Sequence, residues 1–168
     1  MKKIIMNSLF LWLLVCVFTL DTLAQNSEKQ KIEAAILNYV NAFYEADTTK
    51  AYESIVRDLA KRGYFTTGEG QVKEAKMNFE QLVRLAQRWK ATQNITAETP
   101  RKITVFDVLG KIASAKVEAK WGIDLFHLAK IDGRWMIINV LWQDYQTNQH
   151  ILQKTPYPPI LHLQHRKT

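Results

Sequence analysis

The stretch DLFHLAKIDGRWMIINVLW, residues 124–142, consists of two apolar runs joined by Asp132 and Gly133. Asp-Gly between two such runs favours a two-residue turn, so the pattern predicts a β-hairpin with strands over 123–130 and 135–142. A two-residue turn also sets the register, because residues equidistant from it face each other. On one face Leu128 is expected opposite Ile137, Phe126 opposite Asn139 and Asp124 opposite Leu141. On the other, Ala129 meets Met136, His127 meets Ile138, Leu125 meets Val140 and Ile123 meets Trp142. Both faces are largely apolar, and a sheet apolar on both sides needs two coverings. Helices account for one; a second subunit or the C-terminal tail is needed for the other.

Working back from the hairpin, Ala113, Ala115, Val117, Ala119 and Trp121 alternate with Lys116, Glu118 and Lys120. That period of two describes a strand with one packed and one wet side. Gly110 separates it from a further strand over 103–109, and Pro100 marks the change of period. Upstream the period is that of helices. Ile32, Ala35, Ile36, Tyr39, Val40 and Phe43 fall on one helical face, with Ser27 and Gln30 placed as a capping box. Thr49 is read as the cap of a second helix that carries Tyr52, Ile55, Val56 and Leu59 inward and ends near Gly63. Residues 64–73, with Gly68 and Gly70, read as an irregular connection. A third helix from about Asn78, with Gln81 three residues on, presents Leu82, Leu85, Ala86 and Trp89. The fold class is therefore α+β, with three N-terminal helices packed on a curved, mainly antiparallel sheet.

The first 24 residues have a different character. Lys2 and Lys3 precede a run from Leu9 to Leu20 in which only Thr19 is not apolar, and Thr22 and Ala24 place small side chains before Gln25. This is the order of a cleavable secretory signal, and the run is shorter than the roughly 20 apolar residues a membrane-spanning helix needs. The expected location is periplasmic or secreted, with membrane contact only through the uncleaved signal. Residues 25–145 form one domain in this reading, and 146–168, rich in Gln and His with Pro156, Pro158 and Pro159, an extended or disordered tail. Cys16 is the only cysteine and leaves with the signal, so no disulfide is expected in the mature chain. The formal charge of +7 becomes +6 once Lys2, Lys3 and Asp21 are removed. Export and the scatter of the basic residues exclude nucleic acid as the partner, and Lys61 with Arg62 is read as part of a solvated helix face.

Residues 124–142, the helix over 32–47 and the Ala-Lys-Arg-Gly run at 60–63 together resemble the nuclear transport factor 2-like superfamily. The likeness is to its exported bacterial branch labelled lumazine-binding, related to SnoaL-like proteins, and it covers 27–145. The resemblance implies a cone in which helices close one side of a curved sheet over an apolar and aromatic pocket. It also implies a range of functions, from ketosteroid isomerase and dehydratases to binding modules without catalysis.

An isomerase of this kind needs a pocket carboxylate as base and acidic groups to hold an oxyanion. Asp124, on an apolar strand beside Trp121, and Asp107 are the candidate bases; burial of Asp124 would favour its neutral form. Asp124 can equally bind neighbouring backbone or pair with a basic side chain. Tyr39, Phe43, Tyr52, Trp89, Trp121 and His127 are the candidate ligand-binding residues, with core packing as the alternative fate of each aromatic. Asp124 and His127 differ in parity and point to opposite faces unless a bulge intervenes. His150, His162 and His165 match no metal-site spacing, and neither metal nor cofactor is expected. Three functions remain open: an exported module holding an apolar or aromatic ligand, an isomerase- or dehydratase-like enzyme, and a homodimerisation domain with a filled pocket.

Overall fold

The computed structural model describes residues 25–145; the proposed signal, the tail and its three histidines lie outside them. The chain is helical over 25–44 (α1). Ile32, Ala35, Ile36, Tyr39, Val40 and Phe43 are all buried, so the apolar stripe is the packed face. The helix is already formed at residue 25, which places Ser27 inside it rather than at a cap. Glu28 instead ties this end to the sheet, accepting from Lys130 Nζ at 2.7 Å and Trp135 Nε1 at 2.8 Å. Hydrogen bonds from Lys130, then Lys31 and Trp135, hold its carboxyl at about 2, well below the usual carboxylate range.

The second helix differs from the expected one. It spans only Thr48–Ser54 (α2) and is capped by Asp47, whose side chain accepts from the Thr49 amide. Ile55–Thr66 is a strand, β1, not the rest of a helix. The β-branched pair Ile55 and Val56 suits a strand, and β1 has a partner on each side to supply hydrogen bonds. One partner is Val72–Met77 (β2), antiparallel, so residues 64–73 form most of a hairpin instead of an irregular connection. Phe79–Trp89 (α3) follows, with the expected capping box between Asn78 and Gln81. A short 3-10 turn, Lys90–Thr92, extends it.

Four antiparallel strands complete the sheet: Arg101–Val108 (β3), Ile112–Ala119 (β4), Gly122–Ile131 (β5) and Arg134–Gln143 (β6). The strand order is β2-β1-β6-β5-β4-β3, and only β1 and β6 run parallel. The sheet is thus mixed but mainly antiparallel, and with the helices on its inner face it makes an α+β cone. Buried Ala113, Ala115, Val117, Ala119, Phe126, Leu128, Ile137 and Val140 form its inner surface against α1. No helix among the described residues is long and apolar enough to cross a membrane.

The hairpin of β5 and β6 turns at Asp132 and Gly133, whose φ angles of 48° and 78° are those of the tight turn expected. Leu128 faces Ile137 and Ala129 faces Met136 as anticipated. Beyond them the ladder shifts, and His127 faces Asn139, Phe126 faces Val140, Leu125 faces Leu141, Asp124 faces Trp142 and Ile123 faces Gln143. Ile138 is the extra residue of a β-bulge. The slip moves Val140 to the buried inner face and places Leu141 outside, where Leu125 and Leu141 are each 42% exposed. It also puts Trp142 beside Asp124 in the cone.

Candidate ligand-binding cavity

Asp124 has no exposed surface. Its Oδ2 accepts from Tyr39 Oη and from Trp121 Nε1, each at 2.9 Å. Its Oδ1 accepts from Lys61 Nζ at 3.3 Å. Lys61 also donates to the Tyr39 hydroxyl, so that hydroxyl accepts from the lysine and donates to the carboxylate. Of the two fates open to Asp124, the structure realises pairing with a basic side chain. Burial pushes the Tyr39 phenol well above its ordinary pKa, and the Asp124 charge pushes it the same way. Burial lowers the pKa of Lys61, opposed by the attraction of Asp124.

Local structure explains how these groups meet. From Leu59 onward β1 alternates, turning Leu59, Lys61 and Gly63 inward. Lys61 sits next to Val140 and Gly63 next to Trp142 in the parallel ladder, so Lys61 reaches across β6 to Asp124 on β5. Gly63 is required by the close approach of Trp142: a Cβ there would lie 2.2 Å from indole Cε3. Trp121 lies in the turn before β5, and Tyr39 comes from the middle of α1.

Above this cluster lies a cavity of about 280 Å³ lined by Phe43, Lys61, Met77, Leu85, Trp89, Trp121 and Trp142. Lys61 is the one ionisable residue among these, and the walls are otherwise apolar or aromatic. Phe43, Trp89 and Trp121 are mutually packed, with centroids 5.1 to 6.2 Å apart. Tyr44 stacks on Trp89 at 5.5 Å and 12°, bracing it from behind. The Trp142 indole N–H is buried and has no acceptor among the described residues.

The structure therefore brings together Tyr39, Phe43, Trp89, Trp121 and Asp124. Other candidates lie elsewhere. Tyr52 is 41% exposed, packed edge-on against Phe79 with the Arg57 guanidinium 4.1 Å from its ring centroid. Asp107 is exposed, and its carboxylate accepts from the adjacent Val108 amide at 2.8 Å. The ladders place Asp107 opposite Ser114 and Ser114 opposite His127. Asp107 and His127 thus occupy the outer sheet face, away from the cone, because a bulge at Phe106 and the parity of β5 turn them outward. They share a second cavity of about 280 Å³ with Leu109, Ile112 and Ile138. Among the described residues no cluster of His, Cys, Asp and Glu is placed to hold a metal.

Lys61, Met77 and Leu85 were not among the expected site residues, whereas Trp142 lines the cavity as an aromatic able to stack on a planar ligand. The signal for Lys61 was the alternation Leu59-x-Lys61-x-Gly63, which a helical reading of the segment hides.

The family model described as "Putative lumazine-binding" matches residues 27–143, and the chain belongs to that family. Solved structures share the fold. A nuclear transport factor 2-like protein of unknown function from Silicibacter pomeroyi superposes with a TM-score of 0.54 at 18% identity, over 70% of this chain and 95% of that one. One from Methylobacillus flagellatus gives 0.53 at 22% identity, over 71% and 94%. A third, from Novosphingobium aromaticivorans and described as having a cystatin-like fold, gives 0.55 at 13% identity, over 83% and 96%. No curated protein matches the chain.

Proposed function

We propose that this chain is an exported binding module that holds a planar, largely apolar or heteroaromatic molecule in the cone. One observation carries the reading: an open cavity of about 280 Å³ walled by three indoles, one phenyl ring and a single amine. Ligand sites are typically concave and mostly apolar, with a few placed polar groups. The family description supports a flat heteroaromatic ligand. A domain with a pocket filled by its own side chains would leave no such space. The isomerase reading would use Asp124 and Tyr39, but neither has exposed surface, and Lys61 and Trp121 stand between the carboxylate and the cavity. The export part of the proposal rests on residues 1–24.

The test is a tryptophan fluorescence titration of the mature domain with lumazine. Saturable quenching at one equivalent is the expected result, since Trp89, Trp121 and Trp142 line the cavity. A linear, unsaturable response would reject the reading for this ligand class.

A second reading concerns the outer face, which we assign to homodimerisation. Phe106, Ile112, Leu125 and Leu141 are each more than two-fifths exposed there. Exposed apolar side chains gathered on one face of a sheet mark interaction sites.

A further inference from the structure

Within the cone, Lys61 is the charged residue on the cavity wall. An ammonium has three N–H donors. Two are engaged, by the Tyr39 hydroxyl and by Asp124 Oδ1, leaving one without an acceptor among the described residues. The side chain is 10% exposed, while Asp124 beneath it has no exposure, and Lys61 lines the cavity. A ligand therefore meets the amine and not the carboxylate.

The charge of the cluster limits what that ligand can be. Lys61 and Asp124 already neutralise each other, and the remaining walls carry no charge. A carboxylate or phosphate entering this space would leave a net negative charge in apolar surroundings, which is costly without a further cation. A neutral carbonyl oxygen would accept the third N–H and leave the charge balanced. Its ring would lie against Phe43, Trp89 and Trp121, where aromatic surfaces favour edge-on or offset contact.

We propose that the cavity selects neutral planar aromatic molecules bearing a carbonyl group, and that Lys61 Nζ donates to that carbonyl oxygen. This rests on the binding reading above and adds to it a chemical class and a recognition residue.

Calorimetric titration with 1-indanone, indane and indane-1-carboxylate tests it. The first two bicyclic compounds differ by a carbonyl in place of a methylene, and the third carries an anion. The native protein is expected to prefer 1-indanone over indane by about tenfold, the scale of one hydrogen bond to a charged group, and to bind the carboxylate least. Replacing Lys61 alone strands Asp124, so the informative variant is the pair Lys61→Met with Asp124→Asn, which removes both charges. That variant is expected to bind indane as the native protein does and to lose the preference for 1-indanone. Equal affinity for indane and 1-indanone in the native protein, or a preference that survives in the double variant, would overturn Lys61 as the recognition group while leaving the binding reading intact. Tightest binding of the carboxylate would overturn the neutral class. Failure of all three compounds to bind would overturn this proposal together with the reading it rests on.

Discussion

Lys61 on β1 and Asp124 on β5 form a buried ion pair that spans the intervening strand β6, with Nζ 3.3 Å from Oδ1. A buried pair of this kind is costly to break from one side, because the survivor is left as an uncompensated charge. Lys61→Met and Asp124→Asn are each expected to destabilise the domain, with Lys61→Met costing about 3–5 kcal/mol. The double variant should cost clearly less than the sum of the two, as contacting residues do not act additively. Urea unfolding of the native protein and the three variants measures this. Additive losses would mean that the pair is not coupled.

That pair also marks the limit of what the amino-acid pattern discloses. The hairpin, the packed face of α1 and the capping box of α3 were legible because apolar period, turn residues and cap residues all agree there. β1 was not. Ile55, Val56 and Leu59 fit a helical stripe, while the inward positions that follow are Lys61 and Gly63, neither of which reads as core. They are inward because one serves Asp124 and the other makes room for Trp142. The residues that build the cavity are thus the ones that disguise the strand. The bulge at Ile138 was invisible for another reason: Ile138, Val140 and Leu141 are all apolar, so a one-residue slip leaves the pattern unchanged. Asp124 was legible as a buried carboxylate, but its partner was not, because the two residues lie 63 positions apart.

Tyr39 gives a pH signature. Its phenol pKa is raised in the folded protein, so the native state holds a proton that the unfolded chain releases above about 10. Stability from this source is complete below that pH and is lost as pH rises further. Lys61, lowered by burial, acts oppositely in the window below its ordinary value near 10.5. Tyr39→Phe should therefore show a shallower fall in stability than the native protein between pH 10 and 12. Parallel curves from chemical denaturation across that range would contradict the assignment.

Glu28 gives a signature at the acid end. Its folded value of about 2 lies below its ordinary value of 4.5. Its contribution is present above 4.5 and is lost as pH falls from there through about 2. Glu28→Gln should flatten the acid limb of the stability curve and loosen the start of α1, read by hydrogen exchange of the amides from 25 to 32. Unchanged exchange there would show that Lys130 and Trp135 do not anchor the helix through this carboxylate.

Gly63→Ala tests the shape of the cavity. The added methyl would meet Trp142 Cε3, forcing the indole to move. Overpacking of this kind typically costs about 1–3 kcal/mol. Weaker binding of 1-indanone should accompany the loss, since Trp142 is part of the cavity wall. Unaltered affinity would place the ligand elsewhere.

On the outer face, Leu141→Glu adds a charge to an exposed apolar position beside Leu125. Sedimentation at micromolar concentration should find the domain over residues 25–145 dimeric and the variant monomeric, with the thermal unfolding of the variant little changed at low concentration. A monomeric native domain would dispose of the dimer.

Occupancy of the cone by a small planar molecule, in the space above Lys61 and Trp121, can be read from the mass of the native protein. Native mass spectrometry of the protein recovered from its own cells is the measurement. A folded species heavier than the polypeptide by one small organic molecule, released on unfolding and lost from the Gly63→Ala variant, is the expected result. A folded species with the mass of the polypeptide alone would contradict it.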